Sequence, residues 1–165
     1  MPIRHKIDPG ARRILETLVQ NGYDAYIVGG AVRDLLLGIE PKDTDIATSA
    51  TPEQVREVFG RRQARIIGRR FRIVHVTVGN VCYEVSTFRR EPTEDERKGR
   101  QNDDGVMLWR DNAFGSLEED AKRRDFTVNS LYYDVHADPE QSVVDHVGGL
   151  ADLRSGTVRA TVCPR

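Results

Sequence analysis

Two aspartates separated by one residue follow a glycine pair, and this arrangement restricts the possible folds more than any other feature of the sequence. Residues 29–48 read GGAVRDLLLGIEPKDTDIAT, in which the glycine pair opens a predicted short helix and Asp43 and Asp45 begin a predicted strand. Side chains at positions i and i+2 of a strand project to the same face, about 6.6 Å apart along the backbone. Two such carboxylates can share a divalent cation or bridge two of them, roughly 3.5–4 Å apart in two-metal phosphoryl-transfer sites.

The glycine pair adds a means of binding phosphate to the same segment. Because they lack a Cβ atom, Gly29 and Gly30 allow backbone N–H groups to approach a phosphate closely. Arg33 supplies a planar set of charged donors from the following helix. Phosphate binding and metal binding within one short segment predict an enzyme that acts on a nucleoside triphosphate.

Composition favours one domain whose charge is unevenly distributed. The chain has 165 residues, 38% of them hydrophobic, and a net charge of −1, which by itself gives no sign of affinity for nucleic acid. Residues 61–72, however, contain six arginines, and residues 122–124 read Lys-Arg-Arg. A basic face of this kind can hold phosphates, and the alternative interpretation is an ordinary solvated surface.

The cysteines and the hydropathy pattern indicate the cellular compartment. Cys82 and Cys163 lie far apart without metal-ligand spacing, which indicates a reducing environment and a buried, apolar role for Cys82. The sequence has no apolar run that approaches the ~18 residues of a membrane span, and the N-terminus lacks the apolar core of a secretion signal. We therefore expect a cytoplasmic protein.

Periodicity and turn signals predict an α/β fold with a small mixed sheet of about five strands flanked by helices. The predicted helices cover residues 8–21, 30–37, 52–59, 116–122, 128–133 and 150–154. The predicted strands cover residues 24–28, the segment carrying the aspartates, and a hairpin formed by 71–78 and 81–88. Residues 89–112 form a polar stretch that is too long to serve only as a connection between two elements, so we interpret it as mobile or functional.

The aspartate pair alone is a weak signal and has two other interpretations. Both residues can belong to a turn. A phosphatase of the haloacid-dehalogenase type also uses Asp-x-Asp, but its first aspartate follows a strongly apolar strand. Here Glu40, Pro41 and Lys42 precede the pair, which argues against that class. The glycine pair is no dinucleotide-binding signature either, because the G-x-G-x-x-G spacing is absent.

A two-metal site usually needs a further acidic ligand, and the sequence offers two. Glu84 lies in the middle of a predicted strand, where an inward carboxylate is costly unless cations accompany it, although it can equally face solvent. Asp125 follows a capped helix and can equally cap the segment that starts at Thr127. The sequence leaves this choice open.

Five segments resemble, in order and spacing, the head domain of class II nucleotidyltransferases. They read VGGAVRDLLLG, PKDTDIATSATPEQV, GRRFRIVHV, EVSTFRRE and DNAFGSLEEDAKRRDFTVNSLYYDV. This family, part of the polymerase-β superfamily, comprises bacterial poly(A) polymerases and tRNA CCA-adding enzymes. The resemblance covers about residues 8–155, and it is closer to the poly(A) polymerase branch.

The resemblance implies a role for individual residues. Asp43 and Asp45 match the metal-binding catalytic pair, and Glu84 matches the strand acid often drawn as the third carboxylate. The nucleotide-binding positions are matched by Gly29, Gly30, Arg33, Arg124 and, with a sugar contact, Asn129. Asp125 matches the aspartate of the Arg-Arg-Asp motif, which is counted among the catalytic residues.

The resemblance also implies a reaction and a domain organisation. It implies template-independent transfer of AMP from ATP to an RNA 3′ end with two Mg²⁺ ions. A CCA-adding activity, or an inactive head that only binds nucleotide or RNA, is the alternative. We expect residues 1–155 to form the nucleotidyltransferase head domain and residues 156–165 to be the truncated start of a neck or an atypical tail. We expect the base-selecting helix of the family's neck to lie outside these 165 residues.

Overall fold

One seven-stranded sheet organises the part of the chain that the computed structural model describes, namely residues 6–68, 72–91, 93–95 and 113–161. The helices are α1 (Pro9–Gln20), α2 (Gly30–Leu36), α3 (Pro52–Phe59), α4 (Leu117–Lys122) and α5 (Gly149–Ser155), with a 3₁₀ turn at Thr127–Asn129. The strands are β1 (Ala25–Val28), β2 (Asp45–Thr48), β3 (Ala64–Ile67), β4 (Ile73–Val78), β5 (Val81–Thr87), β6 (Leu131–Tyr133) and β7 (Val143–Asp145). The predicted α/β class with a mixed sheet is confirmed.

The strand order brings distant parts of the sequence together at the centre of the sheet. The order is β3-β4-β5-β2-β1-β6-β7, and only the β2–β5 pair is parallel among these strands. Asp45 pairs with Val28 across β2 and β1, and Val28 pairs with Tyr132 across β1 and β6. The first residue of β2 therefore lies between the hairpin β4–β5 and the strand that leads into the glycine pair.

The larger apolar core lies on one face of the sheet, beneath α1 and α3. Ile14, Leu15 and Leu18 of α1 are fully buried there, because their spacing places them on one side of the helix. Alternate strand residues such as Val74 and Val85 meet them from the sheet. Each fully buried side chain of this kind contributes about 1.5–3 kcal/mol relative to an exposed one. Helices α1 and α3 therefore cover much of this face.

The opposite face carries a smaller core, near α4 and β6. It contains Val28, Ala47, Phe88, Ala121 and Tyr132. Residues that point to this face but lie outside the cluster remain accessible, among them Asp45 at the start of β2. The described residues therefore cover one face of the sheet more fully than the other.

Side-chain caps fix the ends of the helices where the sequence predicts them. The Asp8 carboxylate accepts from the backbone N–H of Ala11 at the start of α1. Thr51 with Gln54, and Ser116 with Glu119, form capping boxes at α3 and α4. The predictions for these three helices are confirmed.

Several predicted elements are wrong in type or missing. The stretch 128–133 is not a helix, since it contains the end of the 3₁₀ turn and the strand β6, which pairs with β1 and β7. The sheet has seven strands rather than about five, because β3, β6 and β7 were not foreseen. Asp43 lies before β2 and not within it, so only Asp45 of the pair belongs to the strand. Cys82 is exposed and not buried.

Two further predictions concern the long polar loop and the absence of a membrane span. Most of the predicted loop 89–112 lies outside the described residues, although Arg89 at its start bridges to Phe114. No helix among the residues that the structure describes combines the length and apolarity needed to cross a membrane.

Candidate active site

The two predicted aspartates line a cleft at the start of β2, beside β5. Asp45 is the first residue of β2, and Asp43 belongs to the irregular segment that leads into it. Both are exposed, and both line a cleft of about 920 Å³ together with Glu84. An accessible cleft that contains three carboxylates can admit a cation with its anionic ligand.

Strand register explains why Glu84 comes next to the pair. Ile46 of β2 pairs with Val85 of β5, so the preceding residues, Asp45 and Glu84, are also neighbours and share a face. On the other side of Glu84 lies His75 of β4, whose Nε2 is 3.7 Å from Glu84 Oε1. The acidic group therefore comes from two separate parts of the sequence, and His75 borders it from a third.

The electrostatics of Asp45 indicate a place for a cation. Partial burial raises the pKa of Asp45 above its ordinary value, and the negative charges of Glu84 and Asp43 raise it further, whereas Arg124 acts in the opposite sense. Like charges that face each other across a cleft are stabilised when a positive ion lies between them. A cation bound at Asp45 would relieve this repulsion.

The donor set fits a divalent ion in its chemistry, though it forms no closed cage. Carboxylate oxygens are the ligands that Mg²⁺ prefers, and it is typically bound through one or two of them plus water and substrate phosphates. Within the described segments, no three His, Cys, Asp or Glu side chains are grouped closely enough to hold a metal by themselves. Asp43 and Asp45 therefore fit an ion that takes its remaining ligands from the substrate.

The glycine pair forms the tight turn between β1 and α2. Gly29 has φ 74° and ψ −138°, a conformation that side chains with a Cβ atom rarely adopt, and its N–H donates to the Leu131 carbonyl. A methyl group at this residue would lie 3.9 Å from Nη1 of Arg124, and one on Gly30 would lie 3.3 Å from Nη2 of Arg33. Two guanidinium groups therefore lie against the turn.

Arg33 is held at the turn by partners from two elements. Its Nη1 donates to Asn129 Oδ1 at 2.8 Å, and its Nε donates to Asp34 Oδ1 at 3.1 Å. Asn129 in turn donates from Nδ2 to Asp125 Oδ1 at 3.5 Å. The 3₁₀ turn that carries Asn129 thereby connects Asp125 to the arginine side of the site.

Arg124 is fixed more firmly than Arg33, by a buried acid and a buried tyrosine. Its Nε and Nη2 donate to Asp120 Oδ2 at 3.2 and 3.0 Å, and Nε also donates to the Tyr132 hydroxyl at 3.0 Å. The guanidinium carbon lies 5.4 Å from the centre of the Tyr132 ring. Burial lowers the pKa of Arg124, but its contacts with Tyr132 and Asp120 outweigh this and raise the pKa overall, so the group stays charged.

Comparison with known proteins identifies the family. The profile of the family described as "Poly A polymerase head domain" matches residues 25–159. The chain belongs to this family. It is 52% identical over 158 residues to poly(A) polymerase I of Salmonella typhi, covering 94% of the chain and 33% of that protein. It is 40% identical over 154 residues to a CCA-adding enzyme of Lactobacillus helveticus, covering 93% of the chain and 35% of that enzyme.

Solved structures agree with the sequence relatives. The CCA-adding enzyme of Bacillus stearothermophilus in complex with CTP aligns with a TM-score of 0.73 at 38% identity, over 94% of this chain and 34% of that one. The chain thus spans about a third of the length of the relatives it matches. The predicted resemblance to the nucleotidyltransferase head, in fold and in sequence, is confirmed.

In this poly A polymerase head domain, the predicted site residues form two neighbouring groups. Asp43, Asp45 and Glu84 make up the acidic group at the cleft. The arginine group at the glycine turn consists of Gly29, Gly30, Arg33, Arg124, Asp125 and Asn129. Arg124 connects the groups, because its charge acts on Asp45 while its guanidinium lies near Gly29.

Sequence reasoning missed Asp120 and Tyr132, which hold Arg124. Asp120 has an available signal, since it precedes Arg124 by four residues in a capped helical segment, the spacing at which an acid and an arginine meet. Tyr132 has no such signal, because it reaches Arg124 only through the pairing of β6 with β1.

Proposed function

We propose that this chain is the catalytic head of an RNA 3′ nucleotidyltransferase that transfers AMP from ATP to the 3′ end of RNA. The observation that carries the proposal is the adjacency of the two groups around Asp45. One offers carboxylates to a divalent ion, and the other offers guanidinium groups to a polyphosphate. A nucleoside triphosphate complexed with a divalent ion needs both in one place.

The acidic group would serve the reacting centre. Asp43 and Asp45 would hold two Mg²⁺ ions, with Glu84 as the neighbouring third carboxylate. When bound, such ions lower the pKa of an attacking hydroxyl and offset charge on the triphosphate. The RNA 3′-oxygen would form a bond to the α-phosphorus of ATP, and the bond to pyrophosphate would break. Glu84, which lies next to Asp45 and is 55% exposed, would orient the 3′ end.

The arginine group would serve the triphosphate. Arg33 and Arg124 would donate to phosphate oxygens, and the Gly29–Gly30 backbone would allow the phosphates to come close. Asn129, within hydrogen-bond distance of Arg33, would contact the sugar. Asp125 belongs to this side, so its proposed catalytic role is to order Asn129 and the nucleotide.

Identity favours ATP as the substrate. The chain is 52% identical to a poly(A) polymerase I and 40% identical to a CCA-adding enzyme over similar lengths. The second candidate is CCA addition, which is favoured by the structural likeness to a CCA-adding enzyme in complex with CTP. In either case the partners would be a nucleoside triphosphate and an RNA 3′ end, and the location would be the cytoplasm.

Incubation of the chain with Mg²⁺, a labelled RNA primer and ATP, CTP or both nucleotides tests the proposal. We expect runs of adenylate with ATP and little extension with CTP. A C-C-A ending when both nucleotides are present would favour the second candidate. No extension with either nucleotide, alongside retained binding of ATP or RNA, would contradict the enzymatic proposal and support a binding head.

Arg33 provides a separate test of the nucleotide side. Replacing Arg33 with alanine should raise the KM for ATP and lower kcat, because the side chain would bind the triphosphate in the ground state and bind it more strongly as charge develops in the transition state. Unchanged kinetics would remove Arg33 from the site. Arg13→Ala, at an exposed position on α1, is the matched control.

A further inference from the structure

A row of polar side chains crosses the accessible face of the sheet on the side of Asp45 away from the glycine turn. Arg65 of β3 pairs with His75 of β4, and His75 pairs with Glu84 of β5. Glu84 is in turn the neighbour of Asp45 in β2. With strands about 4.8 Å apart, Arg65 lies roughly 14 Å from Asp45 along this row.

Alternation along the strands places the whole row on one face. Val74 and Val76, on either side of His75, are buried in the larger core, as is Ala64 next to Arg65. Arg65 and His75 therefore point to the opposite face. Arg65 is exposed, and the side chains of His75 and Glu84 are 32% and 55% exposed. Among the residues that the structure describes, none of the smaller core lies over this end of the sheet.

The row carries unneutralised positive charge at its far end. Among the residues that the structure describes, no acidic side chain forms an ion pair with Arg65. Arg61 and Arg62, in the turn before β3, are also exposed and have no such pair. The sheet thus presents acids at its centre and arginines at its edge, an arrangement that suits an anionic chain whose end reaches the acids.

The two reactants must approach Asp45 from different sides. The glycine turn, Arg33 and Arg124 occupy the β1–β6 side, where the triphosphate is proposed to bind. The β5–β4–β3 side remains for the second reactant, and it offers an arginine at a distance of a few nucleotides from the reacting end. A nucleotide already held on one side leaves this row as the accessible path.

We infer that the row is a binding path for single-stranded RNA, in which Arg65 binds a backbone phosphate a few nucleotides from the 3′ end. The inference rests on the proposed function and extends it to the second substrate. A guanidinium binds phosphate through two parallel N–H donors, without reading the base, so the path would hold RNA of any sequence. His75 lines the path between this phosphate and Glu84.

RNA binding by the chain, measured by fluorescence anisotropy with Mg²⁺ and without ATP, tests the inference. Arg65→Ala should raise the Kd for a labelled oligoadenylate about 5–10-fold. It should also reduce the salt slope by about 0.7, the contribution of one phosphate on a single strand. Arg65→Lys should lie between wild type and Arg65→Ala. Arg13→Ala, on the covered side of the sheet, should change neither quantity, and ATP affinity should be the same in all four proteins.

Oligomers with one neutral methylphosphonate at each successive position locate the contact. For the wild type, a methylphosphonate at one position a few nucleotides from the 3′ end should weaken binding as much as the Arg65→Ala substitution does. For the Arg65→Ala protein, a methylphosphonate at that position should weaken binding no further. Equal Kd and slope in Arg65→Ala and Arg13→Ala would overturn the inference, as would the absence of RNA binding by the wild type. Adenylate transfer with an unchanged Kd in Arg65→Ala would leave the proposed function standing, whereas Arg65-dependent binding without transfer would refute only that function.

Discussion

Asp45 lies in surroundings that disfavour its own charge. Partial burial and the charges of Glu84 and Asp43 raise its pKa, so in the absence of a cation the folded chain is destabilised by this carboxylate at neutral pH. A residue of this kind is better explained by ligand binding than by stability, because functional sites are where perturbed pKa values concentrate.

The destabilisation by the Asp45 charge can be measured by comparing the thermal stability of the wild type with that of Asp45→Asn. In EDTA at pH 7, Asp45→Asn should raise Tm by about 1–2 °C, since it removes the repulsion without changing the shape. The pKa of Asp45 is higher in the folded chain than in the unfolded chain. The stability linked to this residue is therefore fully present at pH values below the pKa of the unfolded chain, and it is lost as the pH rises through the pKa of the folded chain. The gain should therefore vanish when the pH falls below the ordinary value of 3.8.

Two controls complete this measurement. Asp138→Asn, at an exposed position away from the site, should leave Tm unchanged at both pH values. Addition of Mg²⁺ should raise Tm of the wild type more than that of Asp45→Asn. A lower Tm for Asp45→Asn at pH 7 in EDTA would contradict the electrostatic account of this residue.

Asp120 has the opposite character, because its charge is buried and fully partnered. It accepts from Arg124, the Tyr132 hydroxyl and the backbone N–H of Arg89. Asp120→Ala should lower the free energy of unfolding by about 3 kcal/mol, since it leaves a partly buried guanidinium without its counter-charge. Tyr132→Phe, which removes one hydroxyl, should cost only about 1 kcal/mol. Denaturant unfolding checks both, and equal costs would show that the ion pair is not the dominant contribution.

At the level of elements, side chains that close a helix end explain how the short helices persist. The start of α5 depends on Asp145, whose Oδ1 accepts from the backbone N–H groups of Val147, Gly148 and Gly149 and whose Oδ2 accepts from Leu150. A helix of seven residues is too short to be stable by itself, so this carboxylate and the packing of Leu153 supply much of its stability.

The contribution of Asp145 gives a prediction for α5. Asp145→Ala should lower the free energy of unfolding by about 1–2 kcal/mol, because the N–H groups at the helix start lose their acceptor. Asp138→Ala, at an exposed aspartate whose side chain caps no helix, is the control and should have little effect. Urea unfolding followed by circular dichroism distinguishes the two, and equal midpoints would contradict the capping role.

The elements that could be predicted from the sequence are those with local signals. Helices α1, α3 and α4 begin at capping residues that are recognisable in the sequence. The β4–β5 hairpin has residues that alternate between the two faces of the strand, with a Gly-Asn turn. Strand β6 was predicted as helix because Leu131–Tyr133 is a short apolar run, which periodicity cannot distinguish from a buried helical segment. The short strands β3 and β7 exist through pairing at the sheet edges, which no local pattern encodes.

At the scale of the whole molecule, the sheet gathers the two halves of the site. The segment 29–48 predicts the glycine turn and the aspartate pair, the strand and helix patterns offer Glu84 and Asp125 as further acids, and the resemblance adds Arg124 and Asn129. Sequence alone could not decide how Glu84 and Asp125 divide between the halves. Strand register places Glu84 beside Asp45, and the 3₁₀ turn places Asp125 near Asn129. Choices of this kind depend on tertiary pairing.

The rate of AMP transfer by three proteins tests the central claim most directly. Wild type, Asp43→Asn and Asp45→Asn are compared for incorporation of labelled ATP into an RNA primer with Mg²⁺, with circular dichroism to verify that each is folded. We predict that both substitutions lower the rate by about 100-fold or more, because a carboxylate that would hold a divalent ion is lost, and with it the positive charge that would stabilise the reacting phosphates. A folded Asp43→Asn or Asp45→Asn protein that retains more than half of the wild-type rate, or a wild-type chain that transfers no AMP, would contradict the account.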